Sequence, residues 1–421
     1  MNRTLLSAGL CAIMQFPVSA LASGFAIREQ SASFQGLSFA GVAAGGDDIS
    51  TMFFNPATLA RHDGTSFHLS ASYIAPTARF DLARARDATG RPVSGGEGGD
   101  IAADAVVPAV YAATSWGDIH VGLGVTAPFG LRTEQPEDWV GRYFATESEL
   151  TTVNINPVLA YAVSDRLSVA AGFVAQYADA TLANARDLSA LVGPGTPASP
   201  ATDGIAEVSG DDWDYGFTLG VLAEPVDGTR IGLGYRSQIN HSLEGDFTLR
   251  SDLVATQRDR GRAAIATPQV ASLGVRQRVS ERFDVLATVE WTGWSSFDEL
   301  KVSLADGGGS VTDENWSDSW FVAVGGEYRP DDDLAFTAGL AFDQSPIDDA
   351  RRTPRIPGND RTWLSIGVVW TPSESVTIGG GYSHLFVADG DITLDDPDRG
   401  ELRGSFDNAV DILAVHGTVR F

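Results

Sequence analysis

Apolar and polar positions alternate one by one over most of the chain after residue 63. In residues 119–126, Ile, Val, Leu and Val alternate with His, Gly, Gly and Thr. The same period recurs later, with the apolar positions Leu167, Val169, Phe173, Ile231, Leu233, Tyr235, Phe283, Val285, Val289, Leu334, Phe336, Leu340, Leu413, Val415 and Val419. A period of two predicts β-strands with one apolar face. Many alternating stretches run about ten residues, the length of a membrane-barrel strand rather than that of a soluble sandwich strand.

The connections between these stretches predict the number of strands. Six are short polar turns, near 116–118, 164–166, 225–228, 280–282, 330–333 and 372–374. Seven are longer polar or Gly/Pro-rich segments, near 81–103, 128–148, 181–211, 244–265, 303–317, 344–360 and 388–404. Short and long connections alternate, and thirteen connections join fourteen strands. We therefore predict a 14-stranded antiparallel transmembrane β-barrel with periplasmic short turns and external long loops, since a closed barrel leaves no unpaired edge in lipid.

A segment without this alternation precedes the first strand. Residues 23–62 are rich in Gly, Ala and Ser and carry five phenylalanines. So apolar a segment should be buried, and the remaining strands provide one enclosed space for it. We predict that residues 23–62 form a hatch, or plug, in the lumen, and that residues 63–421 form the barrel.

The amino terminus has the features of a secretory signal peptide. Arg3 precedes an apolar run that ends at the small-residue cleavage site Ala20-Leu21-Ala22, which predicts a signal peptide over residues 1–22. Cys11, the only cysteine, would leave with it. A lipoprotein acylation site at Cys11 is disfavoured by the bulky Leu10 before it. We expect export to the outer membrane of a Gram-negative bacterium, without a disulfide in the mature chain.

Composition and charge exclude several classes of function. The formal net charge is −26 and Lys301 is the only lysine, so nucleic acid is not an expected partner. The six histidines are not at metal-ligand spacing in the sequence, and no nucleophile elbow or phosphate-binding loop occurs. We expect no catalytic residues, no metal and no cofactor, although a lipid-modifying outer-membrane enzyme and an adhesive barrel remain alternatives.

The inward face predicted from strand parity is unusual in two ways. Many of its positions are glycine, which either leaves room for a hatch or eases barrel curvature. It also carries charged residues, which we expect to pair with one another or with hatch acids Glu29, Asp47 and Asp48. These inward charges are Arg236, Arg276, Arg278, Glu290 and Asp343.

Two local motifs favour transport. Pro128, Phe129 and Gly130 follow the third strand, where proline removes a ladder donor and glycine permits a kink. Either the wall opens sideways there or the strand simply ends. An aromatic cluster follows in residues 138–144, which predicts either a binding surface or a loop packed on its neighbours.

Several motifs resemble the FadL family of outer-membrane transporters for long-chain fatty acids and other hydrophobic compounds. The resemblance covers essentially the whole mature chain. It is carried by Ser23-Gly24-Phe25, Asn55-Pro56-Ala57, Trp139-Val140-Gly141-Arg142-Tyr143, Phe342-Asp343-Gln344-Ser345-Pro346, Arg352-Thr353-Pro354-Arg355-Ile356-Pro357 and Asp360-Arg361-Thr362-Trp363-Leu364. It implies a fourteen-stranded barrel closed by an N-terminal hatch.

The resemblance also implies a route for the ligand. Capture would occur in an external loop groove at Trp139, Val140, Tyr143 and Phe144. The inner pocket and hatch would bind it through Phe25, Asn55, Pro56 and Ala57. Exit would be lateral, through the kink at Pro128, Phe129 and Gly130.

One departure concerns the ligand carboxylate. Fatty-acid members hold it with basic groups, whereas the comparable stretches here, Thr312-Asp313-Glu314 and Ala178-Asp179-Ala180, contain none. Candidate partners from elsewhere are Arg28, Arg142, Arg351, Arg352 and Arg355. We expect passive uptake of long-chain fatty acids by a monomer in contact with outer-membrane lipid and lipopolysaccharide, with neutral aromatic or aliphatic hydrocarbons as the alternative cargo.

Overall fold

The structure, a computed structural model, describes residues 24–421. Within this range fourteen antiparallel strands form one closed barrel, as predicted. They are β1 (Thr65–Arg86), β2 (Ala105–Trp116), β3 (Ile119–Thr126 and Gly130–Glu134), β4 (Glu147–Ser164), β5 (Leu167–Asp187), β6 (Asp203–Val226), β7 (Thr229–Arg236 and Ile239–Arg250), β8 (Gln257–Thr267 and Val270–Ser280), β9 (Phe283–Thr292 and Glu299–Leu304), β10 (Gly309–Asp313 and Ser319–Tyr328), β11 (Leu334–Asp343), β12 (Arg361–Ser373), β13 (Val376–Val387 and Gly390–Asp396) and β14 (Gly400–Arg420). The barrel closes where β1 pairs with β14, from Ser66↔Arg420 to Arg86↔Glu401.

The alternation places large apolar side chains on the outside of the barrel. Phe217, Leu340 and Ile366 are each about half exposed, as are equivalent residues on the other strands. Such an outward apolar band is stable only against lipid. The predicted signal peptide, residues 1–22, lies outside the described residues, and the domain boundaries stay predictions.

On the long-loop side of the barrel the strands are longer than the sequence predicts. The predicted loop 181–211 is mostly strand, because β5 and β6 pair up to Asp187↔Asp203. The predicted loop 244–265 is likewise reduced to the residues between Arg250 and Gln257. These extensions carry exposed charges, including Glu244, Asp246, Arg260 and Arg262, so they stand above the apolar band.

The segment after Gly24 fills the lumen as the predicted hatch. It consists of four short 3₁₀ helices: Ala32–Leu37, Val42–Ala44, Ile49–Phe53 and Pro56–Arg61. They contact strands on every side of the barrel, and most of their residues are buried. Among residues 24–421 no helix is both long and apolar enough to cross a bilayer.

Inward glycines allow this close packing of hatch on wall. A Cβ at Gly232 would lie 1.8 Å from the Ala43 carbonyl oxygen, and one at Gly339 would lie 2.1 Å from the Leu37 carbonyl. These distances are far below van der Waals contact. The glycines therefore make room for the hatch, as the first of the two sequence interpretations holds.

Four of the five predicted inward charges are paired with an opposite charge, as expected. Within residues 24–421 Arg236 is not: it donates to the Phe53 carbonyl at 2.9 Å and lies 4.1 Å over the Phe53 ring. Arg276 lies 2.7 Å from Asp284 and 2.8 Å from Glu327. From the hatch, Asp47 lies 2.9 Å from Arg329, and Arg28 lies 2.8 Å from Glu290. Such pairing is what makes buried charge tolerable.

Candidate hydrophobic-ligand site

An aromatic cage surrounds the first side chain of the hatch. The Phe25 ring lies 4.7 Å from Trp294, 5.5 Å from Phe297, 5.6 Å from Trp316 and 6.0 Å from Phe129, measured between ring centroids. Trp294, Phe297 and Trp316 lie where β9 and β10 are interrupted, so these breaks turn apolar side chains into the lumen. The cage anchors the hatch terminus by apolar burial and edge-to-face contacts.

An apolar cavity begins beside this cage. It contains about 720 Å³ of empty space, counting its open mouth. Three charged side chains, Glu149, Glu314 and Arg355, and the hydroxyls of Ser148 and Ser209 stand among its apolar walls. The apolar lining includes Phe25, Leu131, Leu150, Ala180, Leu182, Leu243, Ala263, Ile265, Phe297 and Leu300. A long apolar molecule with one polar end suits this lining.

Arg355 provides the cation of the cavity. Its guanidinium donates hydrogen bonds to the Glu147 carbonyl (2.8 Å), Ser148 Oγ (2.8 Å) and the Ala183 carbonyl (3.2 Å). Among residues 24–421 it forms no ion pair with a carboxylate. Burial, together with the like charge of Arg399, lowers the pKa of Arg355 to about 10. The group is still charged at neutral pH, and a ligand carboxylate would neutralise it.

Glu314 is one of the two acids that line the same cavity, with Glu149. The Glu314 carboxylate accepts a hydrogen bond from Trp316 Nε1 at 3.1 Å. Burial raises the pKa of Glu314 to about 7, against the opposing effects of this hydrogen bond and of Arg355. Much of the Glu314 population is therefore neutral at pH 7, so it repels an anionic ligand less than its sequence position suggests.

The other arginines singled out from the sequence have different surroundings. Arg28 is paired with Glu290 and lies 3.6 Å over the Phe321 ring. Arg142 lies 2.7 Å from Asp203, and Arg352 lies 2.6 Å from Asp349. Arg351 is exposed. Of the five, Arg355 is the one that faces the apolar cavity beside Phe25.

A second cavity lies on the other side of the hatch terminus. It has about 950 Å³ of empty space and is lined by hatch residues 26–29 together with Pro128 and Phe129. Its wall also carries Arg236, Glu290, Asp343 and Arg361. Burial raises the pKa of hatch residue Glu29 to about 7. This cavity is more polar than the first.

The break in β3 lies between the two cavities. The wall ladder stops at Thr126 and resumes at Gly130. The hatch terminus pairs with the break: Ile27 N donates to the Pro128 carbonyl at 2.8 Å, and Gly130 N donates to the Phe25 carbonyl at 2.9 Å. The interruption of the ladder is thus real: the hatch terminus bonds Pro128 and Gly130, while Thr152 of the neighbouring strand β4 bonds both backbone groups of Phe129.

Comparison with known proteins identifies the family to which this fold belongs. The profile of the family described as outer membrane protein transport protein (OMPP1/FadL/TodX) matches residues 14–421. The chain belongs to the FadL family. An outer-membrane protein of Neisseria meningitidis is 30% identical, with 95% of each chain covered. The long-chain fatty acid transport protein of Escherichia coli O6:H1 is 29% identical, with 90% of each covered.

A solved relative supports the same assignment. The crystal structure of a Pseudomonas aeruginosa FadL homologue matches with a TM-score of 0.88 at 25% identity, covering 94% of this chain and all of that one. Members of the FadL family are outer-membrane transport channels for hydrophobic compounds, not enzymes. This removes the lipid-modifying enzyme as an alternative.

The external aromatic motif of the FadL resemblance is packed inside its loop. Trp139, Val140, Tyr143 and Phe144 are all buried, so they form no exposed aromatic patch. Trp139 Nε1 donates to the Ala145 carbonyl at 2.7 Å, and Tyr143 donates to Asp203 at 3.0 Å. Phe144 does line an external cavity that Glu314 and Arg355 also line. A role for these residues in capture stays a prediction.

The hatch motif Asn55-Pro56-Ala57 attaches the hatch to the barrel wall. Asn55 Nδ2 donates to the Ala43 carbonyl (2.7 Å) and to the Val221 carbonyl on β6 (3.0 Å), and Asn55 Oδ1 accepts from Ala57 N (3.0 Å). None of the three residues lines either cavity beside the hatch terminus. Their geometry holds the hatch to the wall, and contact with a ligand stays a prediction.

Sequence reasoning missed Trp294, Phe297 and Trp316 of the cage. A signal was available, since each lies where the alternation of β9 or β10 fails while the residues stay aromatic. It also missed a buried cluster of Asp48, His68 and His416, whose members are far apart in the sequence.

Proposed function

We propose that this protein mediates passive uptake of hydrophobic molecules through the outer membrane, and of long-chain fatty acids in particular. The observation that carries the proposal is an apolar cavity with one cation, Arg355, that lacks a carboxylate partner. A fatty acid supplies what this site lacks: an apolar chain for the walls and an anion for the guanidinium.

The route runs along connected features of the chain. The external cavity beside Phe144 is the capture site, and the buried Trp139, Val140 and Tyr143 shape the loop that carries it. Arg355 lines both this cavity and the inner one beside Phe25, so the ligand carboxylate meets the same guanidinium in each. Apolar burial contributes roughly 25 cal/mol per Å², so movement between such sites needs no external energy source.

Exit is lateral, at Pro128, Phe129 and Gly130. The break is closed by hatch residues 25–27 through two backbone hydrogen bonds. Withdrawal of this short segment opens the wall towards lipid and joins the two cavities. The cargo then leaves into the membrane and avoids the polar lumen around Asp343 and Arg361.

The substrate class follows from the polar groups of the cavity. A neutral hydrocarbon would leave Arg355 without an anion, whereas a fatty acid neutralises it. Because the pKa of Glu314 is about 7, the acidic stretch at residues 312–314 does not exclude a carboxylate. Two relatives that match at 29% identity, from Escherichia coli O6:H1 and Salmonella typhi, are named long-chain fatty acid transport proteins, which points the same way.

The test is uptake by bacteria that lack their own fatty-acid transporter. Cells producing the chain should accumulate labelled oleate faster than cells with an empty vector, at equal amounts of folded barrel in the outer membrane. Labelled toluene, supplied in parallel, tests the alternative cargo. Toluene uptake without oleate uptake would show that the cargo is a neutral hydrocarbon, and uptake of neither would refute the proposal.

A further inference from the structure

Three side chains that are distant in sequence meet at the seam where the barrel closes. Asp48 comes from the hatch, His68 from β1 and His416 from β14, and one ligand atom from each lies within 4.8 Å of the others. Asp48 Oδ1 is 3.5 Å from His68 Nδ1, and the two imidazole rings stack with centroids 5.5 Å apart. All three residues are buried, with exposures of 4%, 1% and 5%.

The histidines have ring nitrogens without hydrogen-bond partners. Within residues 24–421, neither nitrogen of His416 has a partner, and His68 Nε2 has none. An unsatisfied buried polar atom destabilises the folded state, and a native structure seldom keeps several in one place. A group that takes imidazole nitrogens as ligands beside a carboxylate would satisfy these atoms.

A divalent transition-metal ion is such a group. Two imidazoles and one carboxylate are a known ligand set for zinc, with a fourth position left for water. Supporting contacts are in place: Ser50 N donates to Asp48 Oδ1 at 2.8 Å, and Thr418 Oγ1 lies 2.9 Å from His68 Nδ1. Such contacts orient metal ligands. The ion would also compensate the buried charge of Asp48.

We propose that Asp48, His68 and His416 bind a divalent transition-metal ion that joins the hatch to the closing seam of the barrel. His68 and His416 lie close to the short-turn ends of β1 and β14, so the ion enters from that side. Asp48 is the one ligand that the hatch supplies. The ion therefore holds the hatch to the wall on the side opposite the long loops, and its loss loosens the hatch.

The experiment uses the full mature chain in detergent, stripped with a chelator and dialysed. Zn²⁺ binding is measured by calorimetry, and Co²⁺ binding by its visible absorption. We expect one ion per chain and a higher unfolding temperature with Zn²⁺, because a ligand that binds the folded state stabilises it. His416→Gln and Asp48→Asn should each weaken binding at least about tenfold and abolish the Zn²⁺ stabilisation.

Two further variants keep the test decisive. His384→Gln is the matched control, since His384 pairs with Asp411 at 2.8 Å on the exposed surface and should leave binding unchanged. His416→Cys replaces one zinc ligand by another and should restore binding, with a sulfur-to-cobalt absorption band. The proposal is wrong if the folded wild-type chain binds no ion, or if His416→Gln and Asp48→Asn bind as the wild type does.

Discussion

Replacing Arg355 by methionine should separate recognition of the carboxylate from recognition of the chain. Methionine keeps an apolar stem of similar length and removes the charge. A hydrogen bond to a charged group contributes about 1.5–3 kcal/mol, and about 1.4 kcal/mol corresponds to a factor of ten in affinity. Palmitate should therefore bind about 10- to 150-fold more weakly to Arg355→Met, because its carboxylate loses its cation.

The assay compares palmitate with hexadecanol, which has the same chain length and no charge. Displacement of a fluorescent fatty acid from purified protein gives both affinities. The affinity for hexadecanol should fall little in Arg355→Met, because the apolar lining around Leu131, Leu150 and Leu243 is unchanged. Arg351→Met is the matched control, as Arg351 is an exposed arginine of the same loop.

The hydrogen bonds that Arg355 makes to Glu147, Ser148 and Ala183 have a separate consequence. They join the loop to β4 and β5, so their loss should lower the unfolding temperature slightly. Equal weakening of palmitate and hexadecanol would mean that Arg355 only shapes the cavity. That result would refute its assignment as the carboxylate partner.

Three further changes test the acid, the hatch and the exit. Palmitate affinity should fall several-fold from about pH 6 to about pH 8. Burial raises the pKa of Glu314 to about 7, so its side chain is neutral at the lower pH and negative at the higher one. Glu314→Gln should remove this pH dependence in a binding titration. Gly232→Ala should destabilise the hatched barrel by about 1–3 kcal/mol, measured by thermal unfolding, since its Cβ would meet the Ala43 carbonyl at 1.8 Å. Ala26→Cys with Phe129→Cys should form a disulfide that blocks oleate uptake until it is reduced, because these residues are bridge partners at the β3 break.

Each of these has a matched control. An unchanged pH slope in Glu314→Gln would contradict the assignment of Glu314. Gly417→Ala adds a Cβ with nothing within 4 Å, and equal destabilisation by it would contradict the packing argument. Residues 24–421 contain no natural cysteine, so single-cysteine variants control the disulfide, and full uptake by the oxidised double variant would exclude exit at this break.

The barrel could be predicted from the sequence because the pattern that specifies each strand lies within that strand. Alternation along residues 119–126 and its repeats follows from one face meeting lipid and the other meeting the lumen. Glycines such as Gly232 and Gly339 could be placed on the inward face for a similarly local reason, but only the packed hatch showed that they make room for it. The break at Pro128 to Gly130 was predictable too, since proline at that place removes a ladder donor whatever the strand's neighbours are.

The site depended on contacts between distant segments, which local patterns do not contain. The stretch 312–314 contains two acids and no base, and the cation that lines the same cavity is Arg355 from another loop. Burial also changed what residues do: Trp139 packs inside its loop, and Glu314 has a pKa near 7. His68 and His416 meet because β1 pairs with β14 in one register. Barrel closure sets that register through the sum of all strand pairings, so such neighbours exist only in the folded chain.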